Sequence, residues 1–159
     1  MANDHEPVRI YYLSSGRLGI PILDAVLWEN QFSNPRVKIV GIGSQPDKPS
    51  GRKRQLTPTE FARYAETRGF EVDKITSVNS PEFLQKLRDL KVELLVVVAF
   101  GQLLKSEILN LPPYGCLNVH ASILPKYRGA CPINMAILNG DKESGVTFMK
   151  MDVGLDTAS

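Results

Sequence analysis

One run of apolar residues, 94–100, constrains the fold of this chain more than any other feature, because no polar side chain interrupts it. A strand that is apolar on both faces has to be covered on both faces, as the central strand of a parallel sheet is. The run is also far shorter than the ~20 residues that span a bilayer. It therefore predicts a buried strand at the centre of a sheet with helices on either side.

Segments with strand and helix patterns alternate along the rest of the chain. Short β-rich runs at 8–13, 37–43, 115–120 and 146–151 predict strands, and amphipathic spacing at 19–30 predicts a helix. Further helix starts are indicated by the capping-box pattern of residues 57–60, by residues 80–82 and by residues 132–139. This order predicts an α/β fold, a Rossmann-like, open and mostly parallel sheet with helices on both faces.

Length and charge narrow the class of protein further. With 159 residues the chain suits one domain, and 19 basic against 17 acidic residues give a net charge of only +2. Nucleic-acid binding would therefore need a local basic patch. Cys116 and Cys131 form no CxxC pair, which is typical of a reducing compartment, and the first residues lack the apolar core of a signal peptide. We expect a cytoplasmic protein without a membrane segment.

Two loops at the predicted carboxyl ends of the strands are candidate binding segments. Residues 14–19 resemble a dinucleotide-binding turn in position, but the leading glycine is missing, which favours a plain strand-to-helix turn. Residues 47–55 carry four cations and one acid, Asp47. Such a segment is either a solvated loop or an arm that contacts nucleic-acid phosphates.

The residues with the clearest chemical potential are Asn118 and His120. They are two positions apart in a predicted strand and therefore share a face. An amide and an imidazole there can stabilise an oxyanion during acyl transfer, although a structural asparagine and an incidental histidine are the alternative. Asp152 and Asp156 follow the last predicted strand, where a carboxylate could orient the imidazole. The sequence offers no cluster of metal ligands and no nucleophile elbow.

These segments together resemble one known family. Residues 117–125 and 127–133 are similar to the signature of the folate-dependent formyltransferases, and residues 145–157 to the second catalytic segment of the same family. Residues 45–52 are close to the loop of those members that act on methionyl-tRNA. The resemblance extends from about residue 8 to the last residue, which identifies residues 1–159 as the N-terminal catalytic portion of such an enzyme.

The resemblance implies a role for each matching residue. It implies that Asn118 donates to the formyl oxygen, that His120 stabilises the oxyanion and helps to move a proton, and that Asp156 holds His120. It assigns contacts with the co-substrate 10-formyltetrahydrofolate to two stretches: Ser122, Ile123, Leu124 and Pro125, and the backbone of Val98, Ala99, Phe100 and Gly101. It assigns contacts with methionyl-initiator tRNA to Arg52, with Lys53 and Arg54 beside it.

The resemblance also implies a monomer that uses folate and tRNA and no metal. Family members continue into further catalytic residues and a β-rich C-terminal domain, whereas this sequence stops three residues after Asp156. Two alternatives stay open: a related formyltransferase with a small amine acceptor, which would not need the basic segment, and a fragment that binds folate or tRNA without catalysis.

Overall fold

The computed structural model describes residues 6–31, 34–120 and 147–151, with the backbone alone for residues 120 and 147–150. Eight strands and four helices lie in these ranges. In chain order they are β1 Val8–Ser14, α1 Gly19–Glu29, β2 Val37–Ser44, β3 Lys48–Ser50, β4 Gln55–Thr57, α2 Glu60–Thr67, β5 Val72–Lys74, α3 Pro81–Asp89, β6 Leu94–Val98, α4 Ser106–Asn110, β7 Cys116–His120 and β8 Thr147–Lys150.

Six of the strands form one sheet in the order β5-β2-β1-β6-β7-β8. The first five run parallel to one another, and β8 pairs antiparallel with β7 at the edge. β6 lies between β1 and β7, so residues 94–98 of the apolar run form a central strand, as the sequence predicts. Residues 99–100, which the sequence also assigned to this strand, lie instead in the turn that follows it. The Rossmann-like α/β fold predicted from the sequence is confirmed.

The two faces of the sheet carry separate hydrophobic cores. On one face α3 and α4 cover alternate residues of β1 and β6, including Tyr11 and Leu95. On the other face α1 and α2 cover the neighbouring positions Tyr12 and Val96. Because successive side chains of a strand point to opposite faces, the same strands supply both cores. Helices therefore lie on both faces, as expected.

Helix α2 begins later than the sequence pattern indicates. Its N-cap is Thr59, whose hydroxyl accepts from the Ala62 N–H at 3.0 Å. The capping box proposed between Thr57 and Glu60 is wrong, because Glu60 is the first helical residue and its carboxylate accepts from Arg17 Nε at 2.9 Å. The predicted start of α3 is confirmed, with the Ser80 hydroxyl accepting from a backbone N–H.

Four elements were not predicted from the sequence: the strands β3, β4 and β5 and the short helix α4. Strands β3 and β4 form an antiparallel hairpin within the basic segment, which is therefore more ordered than the predicted loop. The helix predicted at 132–139 lies outside the described residues. None of the described helices has the length and apolar character needed to cross a membrane.

Candidate functional site

The direction in which the strands progress reverses between β1 and β6, and we refer to the region beyond the ends of these two strands as the crevice. Successive strands progress outward from β1 through β2 to β5 on one side and from β6 to β7 on the other. At such a switch point the following loops diverge, and ligands of open α/β sheets bind there. In this structure the loops are tied together: the N–H groups of Ser15 and Gly16 donate to the Ala99 carbonyl at 3.1 and 3.3 Å.

This tie decides the role of the turn after β1. A phosphate site would need the N–H groups of the turn to point at the ligand. Two of them, from Ser15 and Gly16, instead donate to a protein carbonyl. The Leu18 N-cap of α1 also makes no side-chain capping hydrogen bond. The structure thus favours the plain strand-to-helix turn over the dinucleotide alternative.

The turn after β6 has an unusual backbone. Ala99 has a φ of 49° and Gly101 a φ of 94°, both in the left-handed region. Between them the Phe100 side chain is buried, whereas Ala99 and Gly101 are exposed. Residues 99 and 101 of the turn are therefore exposed at the crevice, while the aromatic side chain between them anchors the turn in the core. We refer to residues 99–101 as the β6 turn.

Two glutamine side chains brace the β6 turn. Gln45 Nε2 donates to the Gly101 carbonyl at 3.3 Å, and Gln102 Nε2 donates to Gln45 Oε1 at 2.9 Å. Gln102 also donates to the Ile75 carbonyl at 2.9 Å and accepts from the Val78 N–H at 2.9 Å. The loops that follow β2, β5 and β6 are thereby joined in one network, and no feature of the sequence alone indicated it.

Hydroxyl groups continue this network beneath the loops. The hydroxyls of Ser44 and Thr59 lie 2.5 Å apart, and Ser44 also donates to the Ser15 hydroxyl at 3.5 Å. The Ser15 hydroxyl accepts from the Gln45 N–H at 3.1 Å. Through these contacts the ends of β1 and β2 and the start of α2 are fixed relative to one another.

Close packing under the turn after β1 requires a glycine. A Cβ at Gly19 would lie 2.0 Å from Ser14 Oγ and 2.9 Å from Phe61 Cδ1. The Gly19 carbonyl also accepts from the Tyr12 hydroxyl at 2.8 Å. The first turn of α1 is thus pressed against β1 and α2, which leaves no space for a side chain.

The basic segment projects from the same edge of the sheet as an exposed hairpin. Its strands, β3 and β4, are joined by residues 51–54, and Gly51 and Arg54 take positive φ values of 73° and 53°. The side chains of Arg52, Lys53 and Arg54 are exposed. Asp47, the acid of the segment, pairs outside it with Lys74, Nζ to Oδ1 at 2.5 Å. We refer to residues 48–57 as the basic hairpin.

Asn118 lies in β7, on the other side of the crevice. It is half-buried, and in register it pairs with Val97 of β6 and Met149 of β8. His120 is the last residue of β7 and occupies the next position of the same parity. The sequence-based prediction that both belong to one strand is confirmed. The side chain of His120 lies outside what the structure describes, as do Asp156 and the stretch Ser122, Ile123, Leu124 and Pro125.

The remaining candidate chemistry is limited within the described ranges. Burial raises the pKa of the Cys116 thiol to about 12, so it is not poised as a thiolate nucleophile. The part of the chain that the structure describes contains no group of three or more metal-ligating side chains. The burial of Cys116 therefore argues against thiolate catalysis at that residue.

Sequence comparison gives a specific match. The sequence pattern of the formyl transferase family matches residues 8–159. The methionyl-tRNA formyltransferase of Geotalea daltonii is 43% identical over 94% of this chain, which covers 46% of that protein. The enzyme of the same name from Caldanaerobacter subterraneus subsp. tengcongensis is 46% identical, again over 94% of this chain and 47% of its own length. The chain thus spans about half the length of these curated relatives.

The fold of this chain is also similar to that of solved structures. The glycinamide ribonucleotide transformylase 1 of Geobacillus kaustophilus superposes with a TM-score of 0.62 at 19% identity, over 96% of this chain and 79% of that one. A sugar N-formyltransferase from Shewanella sp. gives a TM-score of 0.56 at 18% identity, over 95% of this chain and 54% of that one. At these identities the likeness shows the fold alone.

Proposed function

Because the chain belongs to the formyl transferase family, we propose that it supplies the catalytic N-terminal part of a methionyl-tRNA formyltransferase. The reaction is transfer of the formyl group from 10-formyltetrahydrofolate to the α-amine of methionyl-initiator tRNA. The observation that carries the choice of acceptor is the basic hairpin, which exposes Arg52, Lys53 and Arg54 at the same edge of the sheet as Asn118. A cytoplasmic location and a monomeric enzyme belong to the same proposal.

The proposed chemistry is direct acyl transfer without a covalent enzyme intermediate. The amine attacks the formyl carbon, and negative charge develops on the formyl oxygen. When this oxyanion collapses, the bond between the formyl carbon and N10 of the folate breaks, the proton lost by the amine passes to N10, and tetrahydrofolate leaves. Asn118 donates an N–H to that oxygen, and His120 stabilises it and carries a proton, with Asp156 holding the imidazole. Donors placed where charge develops lower the barrier because they need no reorganisation at the moment of reaction.

The β6 turn is the proposed site for the folate ring. Ala99 and Gly101 are exposed at the crevice, and their neighbour Phe100 is buried, so a planar heterocycle can approach the backbone of residues 98–101 closely. A ring with several donors and acceptors is well recognised by backbone groups held in a fixed geometry. Val98, at the end of β6, is fully buried and anchors the start of this segment. Ser122, Ile123, Leu124 and Pro125 are proposed to complete the folate contacts.

The basic hairpin is the proposed tRNA contact. Cations on an exposed arm neutralise phosphates and thereby position a nucleic acid without reading its sequence. A formyltransferase with a small amine acceptor would have no use for such an arm, which favours tRNA over that alternative.

The direct test is formyl transfer from 10-formyltetrahydrofolate to methionyl-initiator tRNA by the intact protein. His120→Ala is the active-site control. Turnover by the wild type that is lost in the control supports the proposal. Formylation of a small amine in preference to the tRNA would support the related formyltransferase instead, and folate binding without any transfer would favour the non-catalytic alternative.

A further inference from the structure

We infer that Gln45 and Gln102 are positioning residues, which set the geometry of the β6 turn for the folate co-substrate and join that turn to the root of the basic hairpin. The inference rests on the proposed function, since it concerns the folate site of that reaction. Neither side chain is placed in contact with reacting atoms. Their effect is exerted through the backbone of residues 99–101.

The orientation of both amides is dictated by backbone groups. The Val78 N–H can only donate, so it takes Gln102 Oε1 as its acceptor at 2.9 Å. Gln102 therefore turns its NH₂ group toward the Ile75 carbonyl and toward Gln45, at 2.9 Å each. Gln45 has to meet this donor with Oε1, which leaves its own NH₂ group for the Gly101 carbonyl. Reversing either amide would place donor against donor and acceptor against acceptor in these hydrogen bonds.

The β6 turn needs such support because its backbone is strained. A φ of 49° is unfavourable for Ala99, whose Cβ crowds the backbone in the left-handed region. Backbone of this kind persists where the surroundings hold it, and it is frequent at ligand sites. Ser15 and Gly16 hold the turn at the Ala99 carbonyl, and Gln45 holds it at the Gly101 carbonyl. Both carbonyls are thus fixed by parts of the chain distant in sequence.

Gln45 is also close to the basic hairpin along the chain. Its backbone N–H donates to the Ser15 hydroxyl, and β3 begins at Lys48, three residues later. Asp47, between them, pairs with Lys74. These contacts hold the root of the hairpin beside Gln45, whose side chain contacts the folate-facing turn. The network gives the two proposed substrate sites a direct mechanical connection.

The test compares Gln45→Glu, Gln102→Glu and the double variant with wild type in the intact protein. Gln45→Glu retains the acceptor for Gln102 but replaces the donor to Gly101 with a carboxylate oxygen. Gln85→Glu is the matched control, because it makes the same change on the exposed surface of α3. KM for 10-formyltetrahydrofolate, kcat and the midpoint of thermal unfolding are measured for each variant.

We expect KM for the folate to rise about three- to tenfold in Gln45→Glu, the range expected for loss of one neutral hydrogen bond, while kcat stays close to wild type. The double variant should be at least as impaired as the more affected single variant, because it also places two carboxylates against each other where Gln102 now donates to Gln45. Gln85→Glu should leave KM unchanged. A merely structural role would instead lower the unfolding midpoint without a selective rise in KM.

The possible failures are distinguishable. If the wild type shows no saturable use of 10-formyltetrahydrofolate, the proposed function itself is wrong. If the wild type uses the folate and Gln45→Glu has an unchanged KM, the positioning role is overturned. Should Gln102→Glu fail to fold, Gln45→Glu still decides, since it removes one partly exposed hydrogen bond.

Discussion

The β6 turn and the basic hairpin lie at the same edge of the sheet but are built in opposite ways. The turn is strained, and contacts from the loops after β1 and β2 fix it. The hairpin is exposed almost throughout, including 69% of Leu56, and among the described strands its two strands pair only with each other. A small planar co-substrate benefits from a fixed surface, because preorganisation reduces the entropy lost on binding. Phosphate contacts, in contrast, need charge more than an exact geometry.

Substitution of the candidate catalytic residues of β7 should give the largest effect, a loss of turnover. We expect Asn118→Ala to reduce kcat of formyl transfer about 10²–10³-fold, because it removes the proposed donor to the developing oxyanion. His120→Ala should act similarly, and either variant should unfold at nearly the wild-type temperature. Transfer assays and thermal unfolding of the purified variants provide the measurement. A folded Asn118→Ala variant with near-normal turnover would contradict the assignment.

Two glycine substitutions, one at the start of α1 and one in the basic hairpin, should lower the free energy of unfolding by different amounts. Gly19→Ala would place its Cβ within 3 Å of Ser14 and Phe61 atoms, and overpacking of this kind is expected to cost about 3 kcal/mol. Gly51→Ala, in the hairpin, meets nothing within 4 Å but has a φ of +73°, so we expect a loss of roughly 1 kcal/mol. Urea unfolding of both variants measures the difference. Equal losses would contradict the close packing around Gly19.

Removing the positive charges of the basic hairpin should weaken tRNA binding and leave folate binding unchanged. We expect the triple variant Arg52→Ala, Lys53→Ala, Arg54→Ala to bind the tRNA about tenfold more weakly at moderate salt, with a shallower salt dependence, because phosphate contacts are lost. Binding of 10-formyltetrahydrofolate should be unchanged.

Arg52→Ala alone should show a smaller loss of tRNA binding in the same direction. Lys38→Ala, which removes an exposed cation near the start of β2, is the control. A selective loss of folate binding in the triple variant, or an equal loss of tRNA binding in the control, would refute the proposed role of the hairpin.

The smallest expected effect distinguishes two threonines that are two residues apart. Thr59→Ala removes the N-cap of α2 and the contact with Ser44, so we expect a destabilisation of about 1 kcal/mol. Thr57→Ala removes a hydroxyl of the hairpin that contacts Ser50, and we expect only a few tenths of a kcal/mol. Chemical denaturation of the two variants gives the comparison. A larger loss for Thr57→Ala would restore the capping box expected from the sequence.

The sheet and its main helices could be predicted because their signals are local. The apolar run of β6 and the Ser80-Pro81 start of α3 each fit within a few residues, and both are confirmed. The capping pattern at residues 57–60 was misleading because Thr57 is the last residue of β4. The N-cap of α2 is therefore Thr59. The hairpin was missed since its strands are short and polar, and one of them contains Pro49.

The candidate site was predictable only as a set of residue types. Asn118 and His120 stand out because they occupy alternate positions of one strand, near its carboxyl end. The contact of Gln45 with Gln102 joins residues that are 57 positions apart, and only the order of the strands brings them together. The meeting of Asp156 with His120 stays a prediction, as it involves residues outside the described ranges.

The position of β1 has a consequence for synthesis of the protein. Its neighbours in the sheet are β2, which follows soon after it, and β6, which begins at Leu94. A nascent chain can thus pair β1 with β2 early, while the other hydrogen-bonding edge of β1 stays open until β6 has left the ribosome. Long-range parallel pairing is slow, and an open apolar edge invites association with other chains. During the interval before β6 emerges, the growing chain therefore carries an unpaired edge of β1 at which it can associate with other chains.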